Sequence, residues 1–168
     1  MADHSDEVVR QWREQRPDLD PTPMATFTRL WRAARVADEE IQRVLGDHGL
    51  EPGWFDVLAT LRRAGAPHRL SAGTLARGLV MTTGGMTKRL DRLESAGYVE
   101  RSPDPHDRRG VLVSLTRKGL RVVDRAVEDH VRNESALLEA LSDRERRALN
   151  AALAKLLAAW RPDEDPGS

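Results

Sequence analysis

One short segment does most to limit what this chain can fold into. Val111-Leu112-Val113-Ser114-Leu115 is a β-branched, apolar run in a sequence whose other apolar residues recur at helical spacing. Ahead of it, Tyr98-Val99-Glu100-Arg101 is also extended, and residues 102–110 (SPDPHDRRG) between them form a polar turn with two prolines. The texture changes only here. The fold class is therefore mainly α with one β-hairpin, and the hairpin has to be accommodated between helices.

The helices can be placed from their caps and stripes. Residues 8–16 (VVRQWREQR) are short, amphipathic and stopped by Pro17. In the turn-rich link at 18–23 (DLDPTP), Thr22-Pro23 reads as an N-cap followed by proline at the first helical position. Phe27, Leu30, Trp31, Ala34, Ile41 and Leu45 then recur at helical spacing as far as Gly46. Glu51-Pro52 opens a third helix, with Trp54, Leu58 and Leu61 on one face. Ser71 caps a short helix ending near Gly78-Leu79, and Thr82 or Thr83 caps the next, which closes on Gly97. After the hairpin a long helix follows Thr116, and Ser142-Asp143-Arg144-Glu145 is a capping box for the last one. This order predicts a winged helix-turn-helix at 51–118, between helices at 8–47 and 119–161, all within one domain spanning 1–168. In such a unit the second helix enters a major groove and the hairpin reaches the neighbouring minor groove or backbone.

Charge points the same way. The net charge is zero, yet residues 62–125 hold 14 Lys/Arg against 6 Asp/Glu, a surplus of eight that the two ends offset. A basic middle between acidic ends suits a DNA-facing lobe joined to helices with another task. Zero cysteine excludes disulfides, thiolate catalysis and Cys-rich zinc sites. The five histidines (His4, His48, His68, His106 and His130) have no metal-ligand spacing, and no P-loop, nucleophile elbow or dinucleotide fingerprint occurs. Ser71, His68 and Asp56 could be drawn as a nucleophilic set, but Ser71 serves better as a cap. Neither an enzyme, a cofactor nor a metal is expected. No apolar run is long enough to cross a bilayer and the N-terminus lacks the regions of a signal peptide, so a cytoplasmic protein with no membrane partner is expected.

Residues 70–97 (LSAGTLARGLVMTTGGMTKRLDRLESAG), followed by Asp107-x-Arg109, Leu115-Thr116 and Gly119, resemble the MarR family of bacterial transcription regulators. The resemblance covers essentially the whole chain, and it implies a DNA-binding homodimer, most often a repressor. Periodicity supports the recognition helix independently: Met86, Leu90 and Leu93 share an inward stripe, which leaves Thr83, Thr87 and Lys88 outward. With Thr82 and Gly85 in the first turn, and Ser71 on the preceding helix, these are the candidate contacts to bases or phosphates. Gly84-Gly85 should cost roughly 1 kcal/mol each in helix propensity, so either close approach to DNA or close packing against the short helix has to compensate. In the wing, the resemblance makes Asp107 a brace and sends Arg109 towards the minor groove, with Arg108 beside it as a phosphate contact. The apolar stripe Leu137, Leu138, Leu141, Leu149, Leu153, Leu156 and Trp160 suits an isologous two-fold interface.

A narrower resemblance involves four residues. Trp12, Asp56, Arg89 and Arg101 are similar in type and position to the ligand set of the urate-responsive branch of that family, whose relatives include responders to citrate or aconitate. Two guanidinium groups beside an aromatic ring suit a planar or multiply charged organic anion. The effector is therefore expected to be urate, citrate, aconitate or another aromatic acid. The competing reading of the chain is a winged-helix protein-interaction module without DNA binding.

Overall fold

The computed structural model describes residues 3–107 and 110–160. Helix α1 (His4–Gln15) begins four residues before the predicted Val8, because Asp3 and Asp6 form a reciprocal capping box ahead of the apolar stripe. Helix α2 (Thr22–Asp47) is the longest element. Its N-cap is Pro21 and not Thr22, whose hydroxyl is held by Asp20 and whose backbone is already helical. Helix α3 (Trp54–Arg63) starts later than Glu51-Pro52 suggested. Gly53 precedes it at φ +75°, a left-handed turn that L side chains rarely adopt and that delays the helix.

Strand β1 (Arg69–Ser71) then leads directly into α4 (Ala72–Gly78), with Ser71 as N-cap accepting from the Thr74 N–H at 3.1 Å. Helix α5 (Thr83–Ser95) is capped by Thr82, whose hydroxyl accepts from the Gly85 N–H at 3.2 Å. The chain reverses at Gly97 (φ +73°) into β2 (Val99–Pro103), and β3 (Val111–Leu115) returns antiparallel with Arg101 opposite Val113. The sheet has three strands in the order β1-β3-β2, where the sequence suggested two. β1 contributes only three residues and pairs Leu70 with Val113, a long-range contact that local pattern does not announce. Helices α6 (Arg117–Leu137) and α7 (Asp143–Trp160) complete the described residues, the latter behind the predicted Ser142–Glu145 capping box.

The core lies where α3, α4, α5, the sheet and the first half of α6 meet. Leu58, Leu61, Leu75, Leu93, Val113 and Val123 are all but inaccessible there. Burying each leucine is worth about 1.5–3 kcal/mol relative to exposure, so the inner face of α5 anchors the helix in the core. α7, by contrast, has no fully buried side chain. No helix among the described residues is long and apolar enough to cross a membrane.

Candidate nucleic-acid interface

Helix α5 presents two unlike faces. Met86, Leu90 and Leu93 are buried on one side, while Thr82, Thr83, Thr87 and Lys88 are exposed on the other. The Thr87 hydroxyl donates to the Thr83 carbonyl at 3.0 Å, which fixes its rotamer and leaves its oxygen lone pairs outward. The two glycines of the first turn differ in their surroundings. A Cβ on Gly84 would meet nothing within 4 Å, whereas one on Gly85 would come within 3.1 Å of Thr82 Oγ1 and 3.4 Å of Met81 Cε. Packing therefore accounts for Gly85 and not for Gly84. The Ser71 hydroxyl is occupied as a cap and shares a 2.9 Å hydrogen bond with Thr74 Oγ1.

At the wing tip, the Asp107 carbonyl accepts from the Gly110 N–H at 2.8 Å, and the Gly110 carbonyl accepts from the Asp104 N–H at 3.0 Å. Asp104 also receives the His106 N–H at 2.9 Å. Asp104 thus shares the bracing expected of Asp107, and its signal was the Asp-Pro step at the turn's entry. Arg108 and Arg109 lie outside the described residues.

The far end of α5 is tied down by arginines. Arg92 pairs with Glu51 and stands 5.9 Å over the Trp54 ring, joining α5 to the start of α3. Arg101 on β2 reaches back to Glu94 and Asp91. The neighbouring guanidinium holds the Glu94 carboxyl below its ordinary range, and the two carboxylates raise Arg101.

These contacts decide how the four effector candidates are arranged. Asp56 is exposed at the third position of α3, and the Arg89 guanidinium covers Gly53 at the same helix start. Arg101 engages carboxylates two and five residues beyond Arg89, which at 100° per residue puts it on the other side of α5. Trp12 lies apart from both, in a groove of about 340 Å³ between α1 and α2 lined by Arg16, Leu19, Pro21, Pro23 and Met24. Asp56 and Arg89 both lie at the start of α3, without an ion pair between them; Arg101 is engaged on the other side of α5 and Trp12 lies in the groove between α1 and α2.

A profile of the MarR family matches residues 48–110, the stretch holding α3, α4, α5 and the first strand of the wing. The HTH-type transcriptional regulator PecS of Dickeya dadantii is 40% identical over 150 residues, covering 89% of this chain and 90% of that protein. A crystal structure of a MarR variant from E. coli, complexed with operator DNA, superposes with a TM-score of 0.70 at 28% identity, covering 87% of this chain and 97% of that one. A MarR family transcriptional regulator from Streptomyces coelicolor, in complex with DNA, shares the fold with a TM-score of 0.78 at 23% identity, over 88% and 93% of the two chains. The chain belongs to the MarR family of DNA-binding transcriptional regulators.

Proposed function

We propose that this regulator binds a pseudo-palindromic operator as a homodimer, represses the adjoining gene, and is released by a small organic anion. The observation that carries the DNA side is the division of α5, with an apolar face held in the core and Thr83, Thr87 and Lys88 standing clear on the other. Lys88 is placed to meet a phosphate, the threonines to meet base edges, and Gly84 to let the helix start approach closely. At the wing, Arg108 and Arg109 extend the contact, with Asp107 as the brace of the hairpin.

Two copies have to be held about 34 Å apart to read half-sites one helical turn away. Support for the pairing comes from α7 and its surroundings. Leu157 and Trp160 remain 61% and 51% exposed, and Trp31 on α2 is 70% exposed. Trp160 stacks on Phe27 at 6.0 Å, so α7 and α2 form one apolar surface that a second copy would cover.

For the anion, the reading rests on Arg89 and Arg101, one on the recognition helix and one on the wing; Asp56 stands at the same helix start as Arg89, and Arg101 and Trp12 have to move from their present positions to join them. An arriving anion has to draw Arg101 off Asp91 and Glu94, which couples its binding to the elements that meet DNA. A complete switch from 1:99 to 99:1 would need roughly 10⁴-fold differential affinity, so graded release is expected. The test is a mobility shift on the DNA upstream of the protein's own gene, at one fixed salt concentration, with urate, citrate and aconitate as probes. A selective shift released by one anion, and no longer released in Asp56→Ala and Arg101→Ala, supports the reading. Normal release in both variants removes the site, and the absence of any selective shift returns the protein-interaction alternative.

A further inference from the structure

Apart from its link to the anion, the contact between Arg101 and the end of the recognition helix ties that helix to the wing. Glu94, in the last turn of α5, accepts three hydrogen bonds from a single residue of β2. The Arg101 backbone N–H reaches Oε1 at 3.0 Å, while Arg101 Nε and Nη2 reach Oε2 at 2.9 and 2.6 Å. Asp91, one turn earlier on the same face, pairs with Nη2 at 2.7 Å. Both partners are half-buried, with the Arg101 side chain 28% exposed and that of Glu94 37%. An isolated surface pair would hold little, but this is a network with a backbone donor and a planar fork, which fixes direction as well as distance.

We propose that Glu94 is a positioning residue for operator binding: through Arg101 it sets the angle between the recognition helix and the wing. This rests on the reading that α5 and the wing are the elements that meet DNA. Other bonds at this corner, among them the Tyr98 N–H to the Leu93 carbonyl at 3.0 Å, the Thr116 hydroxyl to the Gly97 carbonyl at 2.8 Å and the Lys118 ammonium to the Ala96 carbonyl at 2.7 Å, close the turn itself or tie it to α6. Glu94 and Arg101 span that turn from outside, seven residues apart, and so resist the opening that the turn's hydrogen bonds leave free. Geometry makes the position sensitive. Thr83 stands eleven residues before Glu94, a lever of about 16 Å, so a tilt of about 10° at the latch would move the DNA-facing end by about 3 Å, a whole hydrogen-bond length. β2 is an edge strand, and the carboxylate also occupies one of its outward donors.

Affinities for operator and for random-sequence DNA, measured at one salt concentration, test this with Glu94→Gln, Arg101→Gln and the double variant. The expected result is an approximately tenfold loss on operator, no loss on random DNA, and no further effect of Glu94→Gln once Arg101 is replaced. Equal losses on both DNAs with a lowered Tm would make Glu94 an ordinary stabilising residue. Unchanged operator affinity, or losses that simply add, would also overturn the proposal. Should Glu94→Gln fail to fold, Arg101→Lys keeps the charge without the fork and carries the same expectation. A Lys88→Ala control separates the two layers. If it leaves operator affinity unchanged, the interface reading fails; if it weakens binding while Glu94→Gln does nothing, only the latch fails.

Discussion

Gly119 sits in the first turn of α6, hard against the backbone that leaves α5. A Cβ there would overlap the Tyr98 carbonyl oxygen and stand 2.9 Å from the Tyr98 carbonyl carbon and 3.3 Å from its Cα. The obstacle is main chain, so no rotamer change relieves it. Two hydrogen bonds converge on that carbonyl, from the Thr116 N–H at 3.0 Å and from the Thr116 hydroxyl at 3.2 Å. Gly119→Ala must therefore push α6 and the α5–β2 corner apart by roughly 1 Å, at a cost of about 1–3 kcal/mol for overpacking. Loosening the two hydrogen bonds adds about 1 kcal/mol, and better helix propensity returns up to about 1 kcal/mol. The balance is about 1–3 kcal/mol of destabilisation, or a Tm lower by about 2–12 °C for a chain of this size. Thermal unfolding followed by circular dichroism reads it, with Gly46→Ala as the control, since a Cβ there meets nothing within 4 Å. An unchanged or raised Tm for Gly119→Ala would refute the argument.

Three further outcomes are expected. Gly84→Ala fills open space and favours the helix, so Tm should rise by about 2–4 °C while operator affinity falls; a rise without that fall would remove close approach to DNA as the reason for the glycine. Ser71→Ala removes the cap of α4 and should cost about 1 kcal/mol in denaturant unfolding, and no change would mean that the β1–β3 pairing alone holds the helix start. The Asp3 carboxyl is lowered to about 2, chiefly by its hydrogen bonds from Arg29. A depressed carboxyl stabilises above its unfolded value and loses that contribution as pH falls through the folded one, so α1 amides should lose hydrogen-exchange protection relative to α2 between about pH 4 and 2. Equal behaviour of the two helices would contradict the clamp.

The DNA-binding lobe was legible because its signals are local. Ser71, Thr82 and Thr116 announce helix starts by side-chain chemistry, and all three accept the expected backbone N–H. Met86, Leu90 and Leu93 announce the inner face of α5 by period. What escaped was decided at a distance or by an unusual backbone. β1 exists because Arg69, Leu70 and Ser71 pair with Ser114, Val113 and Leu112, some forty residues on. The delayed start of α3 follows from the left-handed turn at Gly53. The start of α1 was missed because its capping box closes with Asp6, where a Glu or Gln is the usual signal. Glu94 gave no sign as a partner of Arg101, since seven residues across a glycine turn match no helical or strand spacing. The Trp12, Asp56, Arg89 and Arg101 set came from resemblance alone, and the side chains rest in three places.

The most direct test of the central claim is a mobility-shift titration on the DNA upstream of the gene, comparing wild type with Lys88→Ala and Thr87→Ala at about 0.15 M salt, with the protein-to-DNA stoichiometry determined at saturation. The expected result is a selective complex of two chains per site, weakened by both substitutions, with the salt slope lowered by about one for Lys88→Ala. A selective complex that both variants form with wild-type affinity would contradict the placement of α5 against DNA, and a stoichiometry of one would contradict the dimer.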